Sequence, residues 1–132
     1  MSGAAANSHR ALRVLLVEDS PRIADRVRDL VEAEAGAEVV HVSQDEPDAI
    51  KAAREYDADV MILDLQLRDG TGFGVLHALG DQRPTTIIMT NYSQPQYRAK
   101  AKALGIEFFL DKSQDFERLA DILATIDRER SA

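Results

Sequence analysis

The sequence predicts an α/β domain in which a five-stranded parallel sheet carries helices on both faces. Three observations predict it. Short, continuous apolar runs such as Val14-Leu15-Leu16-Val17, Val60-Met61-Ile62-Leu63 and Ile87-Ile88-Met89 are the pattern of strands covered on both sides. Segments with helical period lie between these runs. The two kinds of element alternate strictly, which implies parallel strands joined by right-handed crossovers.

The elements follow in order. After the first strand, Ser20 can cap and Pro21 can begin a helix whose apolar stripe is Ile23, Val27, Leu30 and Val31. Gly36 sits where that helix should stop. Glu38-Val39-Val40-His41-Val42 is a weaker second strand, and Pro47 to Tyr56 a weaker second helix with Ile50 and Ala53 as its apolar side. Val60 to Leu63 leads to a third helix marked by Phe73, Leu76 and Leu79. Ile87 to Met89 leads to a fourth, through Tyr97, Ala101 and Leu104. Phe108-Phe109-Leu110 is a weaker fifth strand, followed by the clearest helix, with Phe116, Leu119, Ala120, Leu123 and Ile126. The domain is therefore expected over 12–126, with a flexible lead over 1–11 and a short tail over 127–132. Asp127-Arg128-Glu129-Arg130 reads as a solvated helix end of mixed charge.

Composition narrows the function. The 132 residues suit one domain. With 45% hydrophobic and 30% charged residues, the chain is an ordinary globule and not a disordered tail. No apolar run approaches the ~20 residues that cross a bilayer, and Met1 to Arg10 lack the apolar stretch of a secretion signal. A cytoplasmic chain with no membrane partner is expected. The absence of cysteine excludes disulfide scaffolds, thiolate zinc sites and cysteine nucleophiles. Sixteen basic against twenty-three acidic residues give a net charge of -7, which repels a phosphate backbone, so no nucleic-acid binding is expected of the domain itself. His9, His41 and His77 show no ligand spacing and read as surface or edge residues.

In an open parallel sheet, ligands bind beyond the carboxyl ends of the strands. Glu18-Asp19 follow the first strand, Asp64 the third, Thr90 the fourth and Asp111-Lys112 the fifth. Each has an ordinary use alone: capping a helix, making a turn, ending a strand or meeting solvent. Together they place carboxylates, a hydroxyl and an ammonium at one edge. Neighbouring carboxylates repel and push each other's pKa upward. A divalent cation removes that conflict, and hard oxygens suit Mg²⁺, which keeps several waters and engages carboxylates together with phosphate oxygens. A lysine supplies a point charge for a phosphoryl oxygen, and a threonine hydroxyl can donate to another. One carboxylate is then free to act as a nucleophile and become an aspartyl phosphate. Asp64, on the central strand, is the best placed.

These motifs resemble the receiver domains of two-component response regulators, from about Leu12 to Ile126. The resemblance rests on Val14-Leu15-Leu16-Val17-Glu18-Asp19, on Ile62-Leu63-Asp64-Leu65 leading to Gly70 and Gly72, on Ile88-Met89-Thr90, and on Phe109-Leu110-Asp111-Lys112. Any one is weak; four in order are specific. The resemblance implies a flavodoxin-like fold with strand order 2-1-3-4-5. It implies that Asp64 is the phosphoacceptor, fed by a phosphohistidine on a sensor histidine kinase or histidine phosphotransfer protein, with small donors such as acetyl phosphate as substitutes. Asp19 is then nearer the Mg²⁺, Glu18 acts through its water, and Gln66 contributes a backbone carbonyl. Thr90 is the switch hydroxyl and Lys112 the phosphate-facing lysine, the latter acting with the metal while Asp64 attacks in line. Phe109 takes the position of the aromatic side chain that enters the space Thr90 vacates. The surface of the fourth helix, fifth strand and fifth helix would then shift between two states and bind a downstream target protein.

Some residues depart from the family's commonest pattern. Phe109 replaces the more usual tyrosine, Arg68 stands where proline is common, and Asn91 is bulkier than the usual small residue. Ser113 follows Lys112 in place of proline, and a cis bond without proline costs about 3 kcal/mol, so the geometry of that bond is left open. Tyr92 and Gln66 are expected to shield the acyl phosphate from water. Two further readings share the carboxylates: a Mg²⁺-dependent phosphohydrolase, and an adaptor that docks without being phosphorylated. Against the first, Asp64 lies on the third strand and is followed two residues on by Gln66. A flavodoxin-type electron carrier is rejected, because Glu18-Asp19-Ser20-Pro21 replaces the Ser/Thr/Gly-rich phosphate loop.

Overall fold

Val60, Met61, Ile62 and Leu63 are all buried and show no polar side to water, so their strand must lie in the middle of a sheet covered on both faces. In the computed structural model, which describes residues 10–131, it does. The elements are β1 (Arg13–Val17), α1 (Pro21–Glu34), β2 (Glu38–Ser43), α2 (Glu46–Glu55), β3 (Val60–Leu63), α3 (Gly72–Leu79), β4 (Thr85–Thr90), α4 (Pro95–Ala103), β5 (Phe108–Asp111) and α5 (Leu119–Ser131). All four strand pairings are parallel and the order is β2-β1-β3-β4-β5. β3 lies at the centre and β2 and β5 form the edges, as the family resemblance implies.

The two-residue alternation along each strand divides the apolar side chains between two cores. Leu16, Ile62, Ile87 and Met89 face α1 and α5, meeting Val27, Val31, Leu119 and Leu123. Leu15, Met61, Leu63 and Ile88 face α2, α3 and α4, meeting Ala49, Ala52, Phe73, Leu76 and Ala101. Ser20 caps α1, its hydroxyl accepting from the Ile23 N–H at 3.3 Å, with Pro21 at the first turn. His41 lies on edge strand β2, bonded to Asp48 at 2.9 Å, and His77 is exposed on α3; neither sits in a ligand cluster. His9 lies outside the described residues.

One expectation is corrected. The buried side of α2 is Ala49 and Ala52, with Ile50 and Ala53 only partly covered beside them. Small alanines let the helix approach the sheet closely, and the larger isoleucine is carried to the flank. Residues 127–131, read from the sequence as a short tail and a charged helix end, form the end of α5. Arg130 holds them in the helix by bonding Asp127 at 2.8 Å, pairing with Asp59 at 3.7 Å and donating to the Arg10 carbonyl. Arg10 itself, in the expected lead, forms a two-pronged pair with Asp59, both bonds 3.0 Å, and Asp59 also accepts from the Arg13 N–H at 2.9 Å. The first nine residues of that lead lie outside the described residues.

The strand ends collect at one edge, and one glycine shapes it. A methyl group at Gly72, at the start of α3, would overlap the carbonyl oxygen of Asp64. Gly72→Ala is therefore expected to force the α3 entrance away from the end of β3, an overpacking effect of about 1–3 kcal/mol. A lowered urea midpoint with unchanged slope checks it.

Candidate metal and phosphoryl site

Each strand delivers a different group to the carboxyl edge. Glu18 leaves β1 buried; its N–H donates to the Ser43 carbonyl at 2.8 Å, and its Oε2 accepts from the Ser20 N–H at 3.0 Å. Asp64 leaves β3 with its N–H donating to the Val17 carbonyl at 3.1 Å, and is 7% exposed. Its Oδ1 accepts from the N–H groups of Leu65 at 2.7 Å and Gln66 at 3.4 Å. Asp19 stands between them, half-buried, and oxygens of Glu18, Asp19 and Asp64 lie within 4.8 Å of one another. Such a set can hold a metal ion.

Lys112 enters from the far side. Its N–H donates to the Thr90 carbonyl at 2.9 Å, which ties the turn after β5 to the end of β4. Its Nζ then lies 2.5 Å from Glu18 Oε1 and 2.7 Å from Asp64 Oδ2, with the side chain only 9% exposed. Three carboxylates thus face one ammonium, a deficit of two charges. Burial pushes the Glu18 carboxyl above its ordinary range, outweighing the bonds from Lys112 and Ser20. Burial alone would lower Lys112, but its bonds to Asp64 and Glu18 outweigh that and hold it above its ordinary value. The ammonium stays charged and cannot by itself neutralise the pocket. The Gln66 carbonyl, in the turn beyond Asp64, accepts no hydrogen bond among the described residues. Carboxylate oxygens with a free carbonyl form an all-oxygen donor set, which suits a hard divalent cation.

Not every predicted residue joins the cluster. Thr90 is fully buried beside it, but its Oγ1 accepts from the Tyr92 N–H at 3.2 Å. Asp111 turns aside: it accepts from Ser113 N–H at 2.8 Å, Ser113 Oγ–H at 2.5 Å and Ser93 Oγ–H at 2.6 Å. The Ser113 hydroxyl, the Ser93 hydroxyl and the Ser113 amide together hold its carboxyl down at about 2. Ser113 therefore closes the turn that carries Lys112 by bonding Asp111, and no peptide bond among the described residues is cis. Phe109 is half-buried on β5 with the Arg98 guanidinium 4.6 Å above its ring. Gln66 and Tyr92 line one groove of about 320 Å³, together with Leu65, Phe73 and Tyr97. A larger depression of about 390 Å³ contains none of the clustered carboxylates and is lined by Asp59, Glu107 and Arg130 among others. The Ser93–Asp111–Ser113 network is absent from the sequence reading; serines two residues past one strand end and three past another offered only a weak signal.

Because the folded Glu18 titrates above its unfolded value of 4.5, its contribution to stability is present at low pH and is lost as pH rises through the folded value. Metal-free Glu18→Gln should therefore have a higher urea midpoint than the wild type at neutral pH. That advantage should disappear as pH falls toward 4.5, and paired urea titrations across this range check it.

Comparison with known proteins places this geometry. The family model for the response regulator receiver domain matches residues 14–124. The transcriptional regulatory protein DesR of Bacillus subtilis is 25% identical over 115 residues, covering 87% of this chain and 58% of DesR. The nitrate/nitrite response regulator protein NarP of Escherichia coli is 39% identical over 67 residues, 51% of this chain and 31% of NarP. The match thus spans less than two thirds of either relative. Among solved structures, the signal receiver domain of a Luxo repressor protein from Vibrio parahaemolyticus is 30% identical with a TM-score of 0.81, covering 92% of this chain and 93% of that one. With the strand order, the buried lysine and the carboxylate cluster in place, this chain belongs to the receiver domain family of two-component response regulators.

Proposed function

We propose that this domain accepts a phosphoryl group on Asp64 from a phosphohistidine and thereby switches a surface that binds a target protein. The observation that carries this reading is Lys112 Nζ held between Glu18 Oε1 and Asp64 Oδ2 inside a cluster that remains anionic. Asp19, Asp64 and the Gln66 carbonyl would hold Mg²⁺, with Glu18 facing its water, and the ion would supply positive charge to the phosphoryl oxygens. An Asp64 carboxylate oxygen attacks phosphorus in line; the new O–P bond forms as the N–P bond breaks, and the imidazole leaves to take up a proton. Lys112 exchanges part of its bonding to Asp64 for an oxygen of the product, which carries roughly two negative charges.

The switch follows from what the neighbours release. To donate to a phosphoryl oxygen, the Thr90 hydroxyl swings away from the Tyr92 N–H, and the space it leaves admits Phe109 from β5. Phe109 then withdraws from Arg98 of α4. Among the described α-helices of the domain it buries the fewest residues: Ala101 is its single buried residue, and no side chain caps its first turn. A loosely held helix changes position for little free energy, so the α4–β5–α5 surface is the one expected to distinguish the two states for its target. The donor is a sensor histidine kinase or a histidine phosphotransfer protein, and the chain catalyses only its own phosphorylation and dephosphorylation. Its site of action is proposed to be the cytoplasm; no helix among the described residues is long and apolar enough to cross a membrane. Tyr92 and Gln66, on the rim of one groove, restrict the approach of water to the acyl phosphate.

Incubation with acetyl phosphate and Mg²⁺ should add one phosphoryl group by intact-mass spectrometry, and Asp64→Asn should add none. Lys112→Ala should slow uptake by about 100-fold or more, the scale of losing one preorganised charge at a reacting oxyanion. An unmodified wild type would favour the adaptor reading. Tyr92→Ala and Gln66→Ala should each shorten the lifetime of the adduct after donor removal; unchanged decay would contradict their shielding role.

A further inference from the structure

We infer that Glu46, at the first turn of α2, is a positioning residue for the phosphoacceptor loop; the inference rests on the function proposed above. Its Oε1 accepts from the Thr71 N–H at 2.9 Å, and its own N–H donates to the Asp69 carbonyl at 2.8 Å. One residue pair further along, the Arg68 N–H donates to the Gln44 carbonyl at 3.2 Å. The segment entering α2 is thus bonded three times to the loop between β3 and α3.

Two glycines make room for this clasp. A methyl group at Gly70 or at Gly74 would fall on the Glu46 side chain, so the loop and the first turn of α3 close directly around the carboxylate. From there the linkage runs to the site without a gap. Thr71 caps α3, its hydroxyl accepting from the Gly74 N–H at 3.0 Å. Gly72 donates its N–H to the Leu65 carbonyl at 3.0 Å and lies against the Asp64 carbonyl oxygen. Gln66 pairs across the loop with Thr71. The loop that Glu46 grips therefore contains both the backbone of Asp64 and the free Gln66 carbonyl. Glu46 itself touches neither reacting atom nor metal donor, so its part is to hold the Gln66 oxygen at a fixed place relative to Asp19 and Asp64. An all-oxygen site for a small divalent cation tolerates little error in that placement.

The test is Mg²⁺ titration of the metal-free protein, followed by the amide resonances of Gln66 and Leu67, with urea midpoints recorded in parallel. Glu46→Ala should raise the half-saturating Mg²⁺ concentration by about tenfold or more, the scale on which groups supporting a metal ligand act. Glu46→Gln keeps the acceptor for Thr71 and should bind Mg²⁺ within about twofold of wild type, since the hydrogen bond is retained. Gly74→Ala separates positioning from stability. It replaces a helical glycine by a better helix former, yet it displaces the Glu46 carboxylate, and it should weaken Mg²⁺ binding as Glu46→Ala does. Unchanged Mg²⁺ binding in Glu46→Ala or Gly74→Ala, or a loss in Glu46→Gln equal to that in Glu46→Ala, overturns the inference. A wild type that takes up no phosphoryl group would instead overturn the proposed function and leave the clasp's effect on metal affinity to stand or fall by the titration.

Discussion

One buried ammonium facing three carboxylates is the constraint on which the rest of the structure depends. Removing ions from water is unfavourable, and a partial neutralisation by Lys112 recovers only part of it. The sheet tolerates the arrangement because three of the four charged groups are anchored through their backbone: Glu18 to Ser43, Asp64 to Val17 and Lys112 to Thr90. These bonds continue the register of the strands themselves, so the cluster is as rigid as the sheet centre. A protein selected only for stability would not keep such a site. The deficit of two charges instead leaves the edge with a carboxylate set that can hold a metal ion.

The periphery of the sheet is packed less densely than this centre. β3 and β4 are buried throughout the site side of the sheet, whereas α4 is held by little more than Ala101 and the partly covered Tyr97 and Leu104. Arg98 lies over Phe109 and donates to the Ser93 carbonyl at 3.0 Å, and Ser93 in turn bonds Asp111. The turn carrying Lys112 and α4 are therefore joined by a short polar chain. The opposite end of the sheet is pinned by Arg10, Asp59 and Arg130.

The sheet was legible in the sequence because runs such as Val60-Met61-Ile62-Leu63 admit few arrangements other than a central parallel strand. Once the strands were ordered, the residues following them had to meet, and Glu18, Asp19, Asp64 and Lys112 do. Alanine misled the reading of α2, since it is neither a strong sign of burial nor of exposure. The charged end of α5 was readable as a helix end, but its hold on Asp59 was not, because the two lie far apart in sequence. The sequence set Asp111 beside Lys112 without a role, and only the approach of Ser93 shows where its carboxylate is spent. Glu46 offered no local signal at all: its bond to Thr71 spans 25 positions and exists because two glycines leave space for it. Patterns set by one element were readable; contacts set by the meeting of two were not.

The central claim is that the anionic edge is a divalent-cation site built from Glu18, Asp19 and Asp64. Calorimetric titration of Mg²⁺ into the metal-free wild type, set against Asp19→Asn and Asp64→Asn, tests it most directly. The account predicts one saturable site in the wild type and severe weakening in both variants. Binding of equal strength in all three proteins, or no saturable binding in the wild type, would contradict it.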